Sequence, residues 1–381
     1  MPAYRAYIET IEATFLGLVK QIPGITVGPI SSSAKHPLLS CDIDIDQVDQ
    51  IHGFEVPLTA ASGEQWTVIV LTRASGEPRL IRESCARLTS LINSKLKRDR
   101  LYPVVAATYI GKRAALICKE MNVGYLDLSG NCRLAFDSIF IEKEVPENKN
   151  IEKRPLRSVF SPKSSRVVRL LLENPDRGWP VQDLAKSAQI SLGLASKVKQ
   201  RLLSLDFAIA PDDGLKLREP ENVLAAWSHS YSYKDNEMLE CYARGGQYEL
   251  EGHLNDYCNQ HETDYALTLF SAANRIAPFV RGLSLSTAYI DGDLHKVAAD
   301  LGWKPVPSGA NFIILKPRDP FILRGVQSDL ENWPGKVVSD IQLYLDLANH
   351  KTRGAEAAEF LLERRILPNW SAAARTRGAI A

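Results

Sequence analysis

The side chains of this sequence best suited to chemistry are cations and short polar groups concentrated in SLGLASKVKQRLLSLDF (191–207). The stretch reads as a helix started by Ser191 and running to about 205, with Ser191, Ser196, Lys197 and Gln200 available toward its N-terminal end. Short polar side chains at that end of a helix are what reads base edges in a major groove, and lysines and arginines beside them neutralise phosphates. Lys197, Lys199 and Arg201 supply the charge. Leu192, Leu194, Val198, Leu202 and Leu203 are expected to seat the helix, and Gly193 to keep its surface small enough for close approach. Two further basic groups flank it: Lys163 and Arg166 in a run from Lys153 to Arg169, and Lys216 and Arg218 in LKLRE (215–219). Over 151–220 there are 13 Lys and Arg against 8 Asp and Glu, an excess of +5; the whole chain is +1, so the remainder carries −4.

Other chemistries lack their residues. A metal-dependent nuclease needs an acid and then an acid-x-Lys on adjacent strands to hold its ion and activate water. The strand that should carry them reads VIVLTR (68–73), and Glu142-Lys143-Glu144 has the wrong order. Asp127 in YLDLSGN is the best single acid, but before Ser129-Gly130-Asn131 it fits a turn cap. Asp291-Gly292-Asp293 resembles a two-metal acid pair. The preceding phosphate loop is missing, with Arg281-Gly282-Leu283-Ser284 in its place, and a lone DGD fits a turn. Cys241, His253, Cys258 and His261 lack the paired spacing of a zinc site. No GxxxxGK[ST], GxGxxG after a strand, GxSxG or HExxH occurs. No catalytic residue, metal ligand or cofactor is therefore assigned. The alternative reading is a divergent metal-dependent nuclease or nucleotidyltransferase using Asp127 or Asp291 and Asp293.

The elements that must position these groups follow from periodicity. Residues 1–20 read as an amphipathic helix. WTVIVLTR (66–73), YPVVAATYI (102–110), GYLDL (124–128) and FDSIFIEKE (136–144) read as strands, with helices at 80–98 and 112–121 between the first three. That alternation predicts an α/β domain over 1–145 with a largely parallel centre. PENKNIEKRPLRS (146–158) reads as a linker. Then SSRVVRLLLENP gives a helix capped by Ser164 or Ser165 and stopped by Pro175. WPVQDLAKSAQI gives a second, with Pro180 at its entrance, and 191–205 a third. AIA and LKLRE form strands about the turn PDDG (211–214), and a helix follows Pro220. Three helices and a hairpin in this order predict a winged helix-turn-helix over 159–230. From 235 to 370 the pattern is mixed α/β, with 266–279 and 352–366 as helices, 286–293 and 310–317 as strands, and 335–350 as strand plus helix. The tail after Trp370 is expected to fray.

The 381 residues suffice for two or three domains with their own cores, so the fold class is α+β multidomain. There is no apolar run long enough to span a membrane. The opening MPAYRAYIETIEATF lacks the layout of a secretory leader. Six cysteines lie scattered without CxxC, which suits reduced thiols. A cytoplasmic protein is expected.

YPVVAATYIGKRAALICKEMNVGYLDLSGNCRLAF (102–136), the segment 160–218, and VVSDIQLYLDLANHKTRGAEAAEFLLERRI (337–366) together resemble a group of bacterial winged-helix regulators related to AbiEi, the antitoxin of type IV toxin–antitoxin systems. The resemblance implies a DNA-binding repressor that autoregulates its operon, with double-stranded DNA and a nucleotidyltransferase toxin encoded nearby as partners. It also implies that the N-terminal domain is a restriction-endonuclease-like fold that has lost its metal ligands. The better-known AbiEi antitoxins begin with the winged helix, whereas here about 145 residues precede it. Readers of this kind work on two half-sites, so a homodimer is expected.

Overall fold

Runs of β-branched and apolar residues buried on both sides build the first and largest sheet. The computed structural model describes residues 2–32, 52–60, 62–94, 100–145, 159–280, 285–328, 330 and 333–371. The run Lys153, Arg154 and Arg157, the linker 146–158, Arg281 to Ser284, Cys41 and the tail from 372 lie outside the described residues. Twelve α-helices and three sheets are mixed along the described chain. It divides into two compact units, Met1–Arg154 with Leu203–Asp206, and Pro155–Leu202 with Phe207–Ala381.

The first unit comprises α1 (Pro2–Val19), β1 (Thr26–Val27), β2 (Ser31–Ser32), β3 (His52–Thr59), β4 (Gln65–Arg73), α2 (Pro78–Ser94), β5 (Leu101–Ala107), α3 (Lys112–Glu120), β6 (Gly124–Asp127), β7 (Cys132–Phe136) and β8 (Ile139–Lys143). Its sheet has the order β1-β3-β4-β5-β6-β7-β8, with β2 paired to β3. Strands β4, β5 and β6 are parallel, and the flanking pairs are antiparallel. Alternation along the strands feeds two cores. Val68 and Val70 pack with Ile11, Phe15 and Val19 of α1, and Ile69 and Leu71 with Ile81, Cys85 and Leu88 of α2. The strand expected over 136–144 is β8, Ile139–Lys143, and the strand before it, β7 at Cys132–Phe136, was not expected; the two pair antiparallel. Asp137 adopts φ 52° and reverses the chain at Asp137-Ser138.

The second unit opens with α4 (Pro162–Glu173), α5 (Val181–Ser187), α6 (Leu192–Ser204), β9 (Ala208–Ile209), β10 (Lys216–Leu217) and α7 (Pro220–Ser230). Helix α4 starts earlier than its serines suggested: Ser161 is the N-cap, Pro162 takes the first helical position and Ser164 is buried inside the helix. There follow β11 (Glu237–Tyr242), α8 (Gln247–Gln260), β12 (Tyr265–Leu267), α9 (Leu269–Ile276), β13 (Ser286–Ile290), α10 (Leu294–Asp300), β14 (Lys304–Pro305), β15 (Phe312–Lys316), α11 (Asp340–Ala348) and α12 (Gly354–Leu361). The sheet order is β12-β13-β15-β11-β14, with β13 and β15 parallel. Residues 265–267, expected within a helix or just before it, form the edge strand β12, and α9 begins only after Thr268.

Helix α11 is buried on every side, from Ile341 to Leu347. Gln342 and Asp346, one turn apart on one face, are therefore polar groups inside a core and must find partners there. Asp346 Oδ1 accepts from Tyr231 Oη (2.8 Å), Tyr289 Oη (2.9 Å) and Gln342 Nε2 (2.8 Å), and Oδ2 accepts from Thr268 Oγ1. Gln342 Oε1 accepts from Arg169 Nη2 of α4 at 2.6 Å. The motif QLYLDL thus ties α4 and α7 to the sheet through one hydrogen-bonded chain. Asn349 adds donations to the carbonyls of Ser228 and Tyr231, and Trp370 Nε1 donates to the carbonyl of Leu172 at 2.8 Å.

Burial pushes the Asp346 carboxyl up to about 6, against the hydrogen bonds that hold it down. A folded-state value above the unfolded one means that the proton is held more tightly in the native protein. The stabilisation is then full at low pH and is lost as pH rises through about 6. Relative to Asp346→Asn, the wild type should lose about 2 kcal/mol of unfolding free energy between pH 4.5 and 7.5. Urea titrations of both proteins across that range check this, and a difference that stays flat contradicts it.

Candidate nucleic-acid interface

Helix α6 owes its orientation to three buried residues, Ala195, Val198 and Leu202, spaced to lie on one side. The opposite side carries Gly193, Ser196, Lys197 and Gln200, all exposed. Lys199 and Arg201 fall on the two flanks and are half-buried. Ser191 stands exposed just before the first turn and its Oγ accepts from the Leu194 amide at 3.3 Å. Leu192 does not seat the helix as its type suggested; it is 52% exposed on that first turn. Leu194 and Leu203 are only partly buried.

Beside this face runs a groove of about 540 Å³ between α6 and the start of α4. Lys163, Lys197 and Arg201 all line it, with Ser161 and Ser164 between them. The structure so brings together three cations that are up to 38 positions apart in sequence. Arg166, one turn after Lys163, is engaged elsewhere. Its guanidinium makes a bidentate pair with Asp319 (2.7 and 2.6 Å), donates to the carbonyls of Ala188 and Gln189, and lies 5.2 Å from the Phe321 ring. Arg169, counted in the basic excess of the sequence, is 3% exposed and belongs to the α11 network. Arg169 stands inside an otherwise unbroken apolar run, Val167 to Leu172, which buries the helix on all sides there, and that run is the signal of its burial.

The hairpin β9–β10 pairs Ala208 with Leu217 and Ile209 with Lys216. Leu215 extends it by pairing antiparallel with Trp179, each amide donating to the other's carbonyl (3.0 and 2.9 Å). Lys216 forms an ion pair with Asp213, and Arg218 is exposed. Gly214 makes the three-way junction possible. Its φ is +123°, and a Cβ there would meet backbone atoms of Trp179 at 2.5 to 2.7 Å.

Of the three acids weighed as metal ligands, Asp127 and Asp293 have structural partners, and Asp291 is exposed. Asp127 Oδ1 accepts from the amides of Ser129 and Asn131 (both 2.9 Å), and Oδ2 accepts from the Ile110 amide (2.8 Å) and Asn131 Nδ2 (2.7 Å). Gly130 at φ +100° completes that turn. Asp293 caps α10, accepting from the amides of His295 and Lys296, and these donors hold its carboxyl below the usual range. Cys241 and Cys258 are buried, with burial raising both thiols, while His253 and His261 are exposed. Among the described residues no three His, Cys, Asp or Glu are grouped as a metal would require. Nor is any helix among them long and apolar enough to cross a membrane.

Residues 216–367 match a family model described as a transcriptional regulator, the AbiEi antitoxin of a type IV toxin–antitoxin system. The match runs from β10 through the five-stranded sheet to just beyond α12 and includes QLYLDL and RGAEAAE, so the resemblance read from the sequence holds over this segment. The block 102–136 and the helices α4, α5 and α6 lie outside it. No curated protein and no solved structure matches the chain.

Gly214→Ala is expected to lower the stability of the unit by about 1–3 kcal/mol, the usual cost of forcing a side chain into that backbone region. Urea unfolding followed by far-UV circular dichroism measures it.

Proposed function

We propose that this protein is a cytoplasmic, DNA-binding transcriptional regulator that represses its own operon as the antitoxin of a type IV toxin–antitoxin system. In this reading α4 to β10 form a winged helix-turn-helix, with Trp179 as the short extra strand of the wing. Helix α6 enters the major groove, where Ser191, Ser196, Lys197 and Gln200 meet base edges. Lys163, Lys199 and Arg201 grip phosphates, and the wing residues Lys216 and Arg218 reach the backbone beside the groove. Arg166 is left out of the contact set because Asp319 already neutralises it. The observation that carries the reading is the exposed polar face of α6 next to a groove lined by three cations. The matched family description supports the regulator role, and a nucleotidyltransferase-type toxin is the protein partner it suggests.

The first unit, with its parallel β4–β5–β6 centre between helices, we read as a restriction-endonuclease-like scaffold without its metal ligands. Asp127 spends its oxygens on a turn, which supports a non-catalytic role for that unit. The regulator is taken to act as a homodimer on two half-sites.

The triple variant Lys163→Ala, Lys199→Ala, Arg201→Ala, which removes the three phosphate grips, should weaken binding to the upstream region of its own operon. It should also reduce the slope of log affinity against log salt by about 3. Fluorescence anisotropy at several salt concentrations reads both quantities; unchanged affinity and slope would remove the proposed face. Gln200→Ala should cost about 1–3 kcal/mol on the specific site and little on random duplex.

A further inference from the structure

Strand β8 is one edge of the first unit's sheet: among the described residues it pairs with β7 alone. Its second residue is Phe140, a large apolar side chain that is 67% exposed. The two-residue turn before β8 sets Phe136 opposite Ile139, and a strand's backbone groups point alternately to its two sides. Ile139, Ile141 and Lys143 therefore turn their amides and carbonyls toward β7. Val145 continues the alternation by donating its amide to Asn131 Oδ1 at 2.7 Å. The amides and carbonyls of Phe140 and Glu142 are left facing outward. Around them the surface is mixed: Arg133 lies 5.9 Å from the Phe140 ring, Glu142 pairs with Lys119, and Asp137, Ser138 and Lys143 are exposed.

An open strand edge is a template for another strand, and the charges along it decide which partners fit. The edge Asp137-Ser138-Ile139-Phe140-Ile141-Glu142-Lys143 is complementary to itself when read antiparallel about Phe140. In that register Phe140 meets Phe140 of a second copy, Ile139 meets Ile141, Glu142 meets Ser138 and Lys143 meets Asp137. Each charge then faces its opposite or a hydroxyl, and the outward amide and carbonyl of Phe140 fall opposite the same groups of the copy. Other registers lack this match. Centring on Glu142 opposes two carboxylates, and centring on Ile141 sets Lys143 against Ile139. From this we propose that the β8 edge is a homodimer interface, where two copies of the first unit's sheet join antiparallel about a two-fold axis at Phe140. The proposal rests on the homodimer of the proposed function and gives it a surface.

A short strand edge on each side makes a small interface, so the dimer is expected to dissociate in about the micromolar range. Sedimentation velocity of the full chain without DNA, from about 1 to 200 µM, should show a reversible monomer–dimer equilibrium. Phe140→Lys, a surface change, should weaken the dimer about tenfold or more by setting two like charges directly opposite. Lys143→Asp should weaken it too, and adding Asp137→Lys to that variant should restore much of the loss, as only direct contact between the two positions does. Circular dichroism checks that each variant folds. A dimer that Phe140→Lys leaves unchanged overturns this interface and leaves the homodimer standing, whereas a wild-type chain that is monomeric throughout overturns both. Neither result bears on the DNA face of α6, which the salt titration tests separately.

Discussion

A carboxyl group fully buried in a protein core organises the second unit. Asp346 sits at the centre of a helix buried on all sides and has only protein groups to satisfy it, so four neighbours must converge on its two oxygens. Those neighbours come from the end of α7, from β13, from the residue before α9 and from α11 itself. Each of these elements is fixed in place by the need to present one hydroxyl or amide. Through Gln342 the same chain of bonds reaches Arg169, and so α4. A half-satisfied network of this kind would be worse than an apolar core, which makes the arrangement strongly specifying even where it adds little net stability.

The exposed face of α6 is a product of that organisation. Helix α4 is pinned from behind by Gln342, Trp370 and the Arg166–Asp319 pair. Its N-terminal turn, with Lys163, is thereby held beside Lys197 and Arg201. Two arginines on α4 that a charge count treats as surface cations are used up in this support. The division of labour within one helix is sharp: the cation in its first turn lines the groove, and those further along hold the helix in place.

Much of the architecture was legible because its signals are local. The β-branched runs at 66–73 and 102–107 could only be buried strands, and Pro175, Pro180, Ser191 and Pro220 bracket their helices as their chemistry requires. The seat of α6 was read partly wrongly, since Leu192 lies on the open side of the helix, while the polar positions 196, 197 and 200 were read by the same periodicity. What escaped depends on tertiary context. Asp137 turns the chain with a left-handed backbone that a non-glycine residue seldom announces, and β12 is three residues long inside an apolar stretch that suits a helix as well as a strand. The QLYLDL motif was visible as a pattern. Its role was not, because Tyr231, Tyr289 and Arg169 are brought to it only by the fold.

The Arg169–Gln342 bond joins residues 173 positions apart. Synthesis runs from the N-terminus, so α4 emerges from the ribosome long before its acceptor exists. Until α11 is made, the guanidinium must stay hydrated and the helix cannot settle into its final bed. A chain broken off before Gln342 would carry all of α4, α5 and α6 and yet lack the groups that let α4 bury its arginine. Completion of the C-terminal third is in effect a check on the first helix of the unit, exercised each time the protein is made.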